Sequence, residues 1–182
     1  MPIYTCDPNI ELNGITTMAF IRNVQHAEIA PILQKHRMDT IDPNAWYPLQ
    51  DVLNVLSDVS QTGDSMSNFV SLGMAAVQMQ FQAAPQQLEG LTLADLLLRY
   101  PQVYQARHRG GSAGTISVEQ PEQKHIIIRM DIPYPDDVFY GVFYAYARGL
   151  LPKGTSFTVK YDPRIPRREE GGSETIIHIT WH

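Results

Sequence analysis

Cysteine is almost absent from this 182-residue chain: Cys6 stands alone. That excludes an intramolecular disulfide and any cysteine-built metal centre. Charge is sparse as well, 18% of residues with a formal net charge of −5. A general nucleic-acid binder and a polybasic membrane anchor are thereby disfavoured. No apolar run approaches the ~18 residues of a spanning helix, and the start MPIYTCDPN lacks the basic opening and apolar core of a signal peptide. Nucleophile elbows of the GxSxG type, phosphate-cradling glycine loops and HExxH spacings are missing too. The expectation is a cytoplasmic, non-catalytic protein with no catalytic residues and no metal. What is present, a hydrophobic content of 43%, is enough to build a substantial core in one domain or at most two.

The chain changes character near residue 110. Residues 1–12 read as an irregular or extended lead-in. Helices are expected over Thr16 to Gln25 and Glu28 to His36, with Pro31 in the first turn of the second. Asp42-Pro43 is a turn before a strong helix from Ala45 to Ser60, with Trp46, Leu49, Val52, Leu53, Leu56 and Val59 on one face and Gly63 as its stop. Asp64 or Ser65 caps the next helix, which runs to Gln80. A last helix begins at Thr92, capped with Asp95, is kinked or interrupted by Pro101 and closes at Gly110-Gly111. Strands follow at Thr115 to Glu119 and His125 to Asp131, then a helix, then strands at Thr155 to Tyr161 and Thr175 to Trp181. The fold expected is α+β in a single domain. Residues 1–111 form a helical portion packed on residues 112–182, a four-stranded antiparallel sheet (β-β-α-β-β) with one helix across it.

That helix, Asp136 to Leu151, carries three stripes at about 100° per residue. Val138, Phe139, Val142, Phe143, Tyr146 and Leu150 make an apolar arc that is assigned to the sheet. Gly141, Ala145 and Gly149 make a groove where a neighbouring backbone can approach. Tyr140, Tyr144 and Arg148 lie opposite the apolar centre, where an ordinary surface helix spends Glu and Lys. They mark a contact surface for a second layer, a partner chain or a ligand.

Other chemistry-bearing residues have plainer readings beside sharper ones. None of the six histidines forms a compact ligand pattern with another, although His125 and His178 sit in expected strands as possible cross-strand neighbours. Arg107-His108-Arg109-Gly110-Gly111 suits a helix C-terminus, where basic side chains answer the dipole and glycine supplies the left-handed cap. Tyr104, one turn before His108, keeps open an anion-holding edge there. Asp136 and Asp137 are read as N-capping carboxylates. The 162–173 link, with Arg164, Arg167 and Arg168 against Glu169 and Glu170, is a nearly self-neutralising exposed loop or a tolerated insertion. Met66, Met74 and Met79, with Gly73 and Ala75-Ala76, either fill a core or permit a cavity against the sheet.

Taken in order, these motifs resemble a known superfamily: the ligand-binding domains shared by H-NOX (haem nitric oxide/oxygen-binding) sensors, the 4-vinyl reductase domain and the TRAPP subunits of Golgi transport. The resemblance covers most of residues 13–182. It rests on WYPLQDVLNVL at Trp46 to Leu56, YQARHRGG at Tyr104 to Gly111, MDIPYPDDVFYGVFYAYARGLL from Met130, and the closing EEGGSETIIHITWH from Glu169. It implies a pocket between the helices and the sheet. H-NOX proteins hold haem iron there by a histidine on the helix preceding the sheet, and the propionates by a YxSxR motif. Tyr134 matches that tyrosine, but Asp136 stands where serine belongs and Val138 where arginine belongs. The iron ligand falls near Tyr104 or Gln105, with His108 a turn away. An aspartate beside propionates would repel them, so the cofactor expectation is none. The function expected is a sensory or small-molecule-binding domain for a largely apolar ligand, oriented by Tyr104, His108, Tyr134, Tyr140, Tyr144 and Arg148. A homodimerising interaction module using the Tyr140, Tyr144 and Arg148 face is the alternative, and a haem gas sensor comes third.

Overall fold

A computed structural model describes residues 4–21, 26–61, 65–83 and 85–182. Its elements run β1 (Glu11–Asn13), α1 (Gly14–Ile21), α2 (His26–Lys35), β2 (Trp46–Pro48), α3 (Leu49–Val59), α4 (Ser65–Ala83) and α5 (Leu93–Ala106). They continue as β3 (His108–Arg109), β4 (Thr115–Glu122), β5 (His125–Asp131), α6 (Asp136–Leu150), β6 (Phe157–Tyr161) and β7 (Thr175–Trp181). The α+β class and the β-β-α-β-β second half are as the sequence predicts. Gly63 and Asp64, read as helix stop and cap, lie outside the described residues.

The four-stranded sheet is antiparallel with order β4-β5-β7-β6. Alternation decides its faces: Ile126, Ile128 and Met130 of β5 are buried, whereas His125, Ile127 and Arg129 are only half-buried. Register pairs Ile127 with His178 and Ile128 with Ile177, so the isoleucines of β7 at 177 and 179 join the core while His178 faces outward.

A second sheet was not expected. Residues of the supposed lead-in form β1, which pairs antiparallel with β2 on one side and β3 on the other. Arg109 ties this sheet together: its guanidinium ion-pairs with Glu11 across the strands and stacks 4.5 Å from the Trp46 ring. Trp46 and Tyr47 are therefore strand residues, and α3 starts only at Leu49 with Pro48 as its N-cap. Proline lacks the amide hydrogen a helix interior needs, so its place just before the helix is the natural one.

Helix α5 also differs from expectation. Thr92 and Asp95 form the reciprocal capping box, but Pro101 does not break the helix. Leu93, Leu97, Tyr100 and Tyr104 are buried on both sides of it, and this packing holds the helix in one piece despite one missing hydrogen bond. The helix stops at Ala106, because His108 and Arg109 turn out to pair with Leu12 and Glu11. Gly110, with φ +84°, makes the bend that follows.

At the centre lies α6. On its glycine side it meets α4 at backbone distance: a Cβ on Gly73 would stand 1.9 Å from the Val138 carbonyl oxygen, and one on Gly141 2.1 Å from that of Val70. The close-approach groove read from the sequence is thus filled by α4. On the other side Phe139, Phe143 and Tyr146 meet rings of α5: Tyr104–Phe139 centroids are 5.9 Å apart and Tyr100–Phe143 5.3 Å. The apolar arc, assigned to the sheet from sequence, thus also packs on α5, and it shares one core with the inner-face isoleucines of β5 and β7. Among the described residues, no helix is long and apolar enough to cross a membrane.

Candidate functional site

Where α5 ends and the 131–136 turn leads into α6, one polar pair sits inside an aromatic box. His108 is the first residue of β3 and Tyr134 belongs to the turn, and both are buried. His108 Nδ1 lies 2.7 Å from the Tyr104 carbonyl oxygen. A carbonyl only accepts, so Nδ1 carries the hydrogen and Nε2 is left with its lone pair. The Tyr134 hydroxyl, 2.8 Å away, donates to that lone pair. Burial lowers the His108 imidazole below its ordinary range, which keeps it neutral. Burial likewise raises the Tyr134 phenol well above its ordinary range, so the phenol keeps its proton. The Tyr104 hydroxyl is satisfied separately by the Ala113 carbonyl at 2.6 Å.

Aromatic rings close over the pair. Tyr104 lies 4.5 Å from the His108 ring, Phe139 5.5 Å from the Tyr134 ring, and Phe20 of α1 approaches Tyr134 at 5.9 Å. Beside this box, sharing Phe20, is a recess of about 60 Å³ among α1, α4, α5 and α6. It carries a polar end, where Tyr146 donates to Gln80 Oε1 at 2.6 Å and Arg107 joins the lining. The arrangement offers one buried lone pair, from Nε2, in largely apolar surroundings. Such a donor suits orientation of a bound group.

Of the six residues named from sequence, Tyr104, His108 and Tyr134 are brought together here. Tyr140 and Tyr144 are not. The Tyr140 hydroxyl donates to the Val159 carbonyl at 2.9 Å, and its ring lies 5.3 Å from Tyr161. Tyr144 meets Phe157 at 5.3 Å. The chain's own β6 therefore occupies the outer face proposed for a partner, and only Arg148 remains exposed. It borders a surface groove of about 290 Å³ with Met74, Gln78 and Phe81, the place to which the methionine reading reduces. The Met66 side chain lies outside what is described.

Asp136 and Asp137 do not cap α6, whose N-cap is Pro135. Asp136 accepts from the Thr175 hydroxyl at 2.7 Å, and Asp137 accepts from the Tyr161 phenol at 2.8 Å. They moor the helix start to β7 and β6 while keeping favourable places near its positive end. The 162–173 link is moored as well. Arg167 reaches Asp137 at 3.4 Å and covers the Tyr161 ring, and Arg168 bonds to Asp131 and to the Ile132 carbonyl. Arg168 thus brings a guanidinium to the turn beside Tyr134, a residue that no local motif could announce. Phe20 was missed for the same reason: its signal is aromatic size at a buried helix position, and nothing in the sequence says which rings it meets.

No protein family's sequence profile matches the chain, and no curated protein sequence does either. Solved structures do match. A structure from work on haem distortion in the H-NOX family superposes with a TM-score of 0.72 at 12% identity, covering 93% of this chain and 95% of that one. An oxygen-binding H-NOX domain related to soluble guanylate cyclases, in its oxygen complex, gives 0.69 at 12%, covering 92% of each. An H-NOX protein from S. oneidensis in an Fe(II) ligation state gives 0.70 at 13%, covering 94% and 96%. The fold is H-NOX-like. The expectation of no cofactor is corrected by these neighbours: they are H-NOX domains, haem or iron is named for them, and so haem is the cofactor to which the comparison points.

Proposed function

We propose that this chain is a sensory domain, with no catalytic step of its own, whose ligand enters the aromatic box and takes the His108 Nε2 lone pair in place of the Tyr134 hydroxyl. One observation carries the reading. A neutral, buried imidazole has its hydrogen fixed on Nδ1 by a backbone carbonyl, and its other nitrogen faces a single displaceable hydroxyl. A backbone-anchored Nδ1–H is the arrangement that orients an imidazole for a metal or a hydrogen-bond donor.

Haem, the group the neighbours bring with them, can be tested against these residues. At the metal the fit is good: His108 would hold iron through Nε2, and the Tyr104 carbonyl would hold the ring in orientation. At the macrocycle the side chains oppose it, since Tyr134, Phe139 and Phe20 fill the box and the adjoining recess holds only about 60 Å³. Room for a ring system has to come from those three side chains changing rotamer. Asp136, buried with Oδ2 unpartnered, repels a carboxylate, whereas Arg168 nearby attracts one. When bound, haem would supply an iron centre able to take up a diatomic gas. The protein's own part is to offer Nε2, exclude water and signal through the turn that joins Tyr134 to α6.

Hemin titration followed by absorbance tests this. The expected result is a spectral change that saturates at one equivalent and is lost in His108→Ala, with folding of the variant verified by circular dichroism. A change that persists unaltered in His108→Ala overturns the assignment of His108.

A further inference from the structure

The outer face of the four-stranded sheet carries a second histidine pair, remote in role from the aromatic box. His125 on β5 and His178 on β7 both project to that face, with His178 opposite Ile127 and His125 opposite Thr180. His125 Nε2 and His178 Nδ1 stand 2.9 Å apart, and the two rings are within 24° of parallel. Behind His178, its Nε2 lies 3.1 Å from Asp162 Oδ2. Asp162 is itself gripped by Arg164, whose Nη2 donates to the same carboxylate oxygen at 2.9 Å.

This chain of contacts fixes which nitrogen does what. Arg164 donates to both Asp162 oxygens, from Nε to Oδ1 and from Nη2 to Oδ2, so the carboxylate only accepts. His178 Nε2 must then donate to it, and His178 Nδ1 must present its lone pair toward His125. A carboxylate, a histidine oriented by it and a free ring nitrogen make the outer-shell pattern that prepares an imidazole for a metal.

We propose that His125 and His178 form a bidentate site for one divalent transition cation, with Asp162 orienting His178 and water completing the coordination. Two nitrogens each about 2.0–2.1 Å from one ion stand about 2.9 Å apart at a right angle and about 3.3 Å apart at the tetrahedral angle. The observed 2.9 Å is the length of the hydrogen bond between the rings, and both rings turn so that their lone pairs converge on the cation; a right-angle pair is what square-planar or tetragonal Cu²⁺ and Ni²⁺ adopt. Binding requires His125 to present Nε2, so its proton moves through solvent from Nε2 to Nδ1. Both rings remain neutral, and the cation replaces the shared hydrogen between them. Among the described residues, no three His, Cys, Asp or Glu side chains converge on one point. Water therefore has to complete the coordination, and the site is weaker than a closed structural centre. Lys160 lies opposite His178 in register; its ammonium opposes the cation, and Asp162 offsets it.

Copper(II) chloride added to the metal-free full chain, read by isothermal titration calorimetry and electron paramagnetic resonance, tests the proposal. The expected result is one strong equivalent whose spectrum shows coupling to two nitrogens. His125→Ala and His178→Ala each weaken it at least about tenfold, and Asp162→Asn, which leaves both rings in place, weakens it about 10–100-fold through the lost orientation. Should either alanine variant fail to fold by circular dichroism, His125→Gln or His178→Gln carries the same reading. A first equivalent of unchanged affinity in both histidine variants overturns the proposal and places copper elsewhere on the chain.

Discussion

The two long sides of α6 are closed in opposite ways. Toward α4, backbone meets backbone: Gly73 faces the Val138 carbonyl and Gly141 faces that of Val70, with no room for even a methyl group. Toward α5, side chains do the closing, through Phe139, Phe143 and Tyr146 against Tyr100 and Tyr104. A backbone seam opens only if a helix moves. A side-chain seam opens when rings change rotamer, a far smaller rearrangement. The buried polar pair of the site, His108 with Tyr134, lies on the side that can yield.

The largest test of that contrast is Gly73→Ala. Its new Cβ meets a carbonyl oxygen that cannot move without α6, so a loss above about 3 kcal/mol in a denaturant melt is expected. A loss under 1 kcal/mol would show the seam to be looser than described. Tyr134→Phe comes next. It removes the hydroxyl that donates to His108 Nε2 and leaves a buried acceptor unsatisfied, costing about 1–3 kcal/mol, while tightening hemin binding because the competing hydroxyl is gone. Equal hemin affinity in the variant would mean that the hydroxyl does not compete.

The smallest effect is in pH. The folded His108 imidazole lies below its ordinary value, so the unfolded chain takes up the proton first. Its contribution is fully present above about pH 6.5 and declines as the medium falls toward the depressed folded value, by at most about 1.4 kcal/mol per pH unit. Thermal melts between pH 7.5 and 5 should therefore show a steeper acid-side decline in the native chain than in His108→Ala. Parallel declines would contradict a buried neutral imidazole.

Much of this architecture is legible in the sequence, for reasons of pattern length. Strands of five to eight residues show alternation, and α6 shows a helical period over fifteen. The small sheet does not, because β1, β2 and β3 have only two or three residues each, and Trp46 happens to continue the apolar face of α3. His108 and Tyr134 were both named from sequence. Their contact spans 26 positions and depends on α5 stopping at Ala106, which strand pairing with Leu12 decides. The Tyr140 and Tyr144 stripe was read as meeting a second layer, a partner chain or a ligand, and it meets a second layer. A helix face rich in tyrosine says that something covers it, and here the cover is Phe157 and Tyr161 of the chain itself.

The most direct measurement is the nitrogen NMR of the His108 ring, recorded on the protein alone and after one equivalent of hemin. The account predicts an Nδ1–H tautomer in the protein alone at neutral pH, with Nε2 at a hydrogen-bond acceptor's shift, and loss or large displacement of the Nε2 signal on addition. An Nε2–H tautomer, or an Nε2 signal unmoved while hemin is bound, would contradict it.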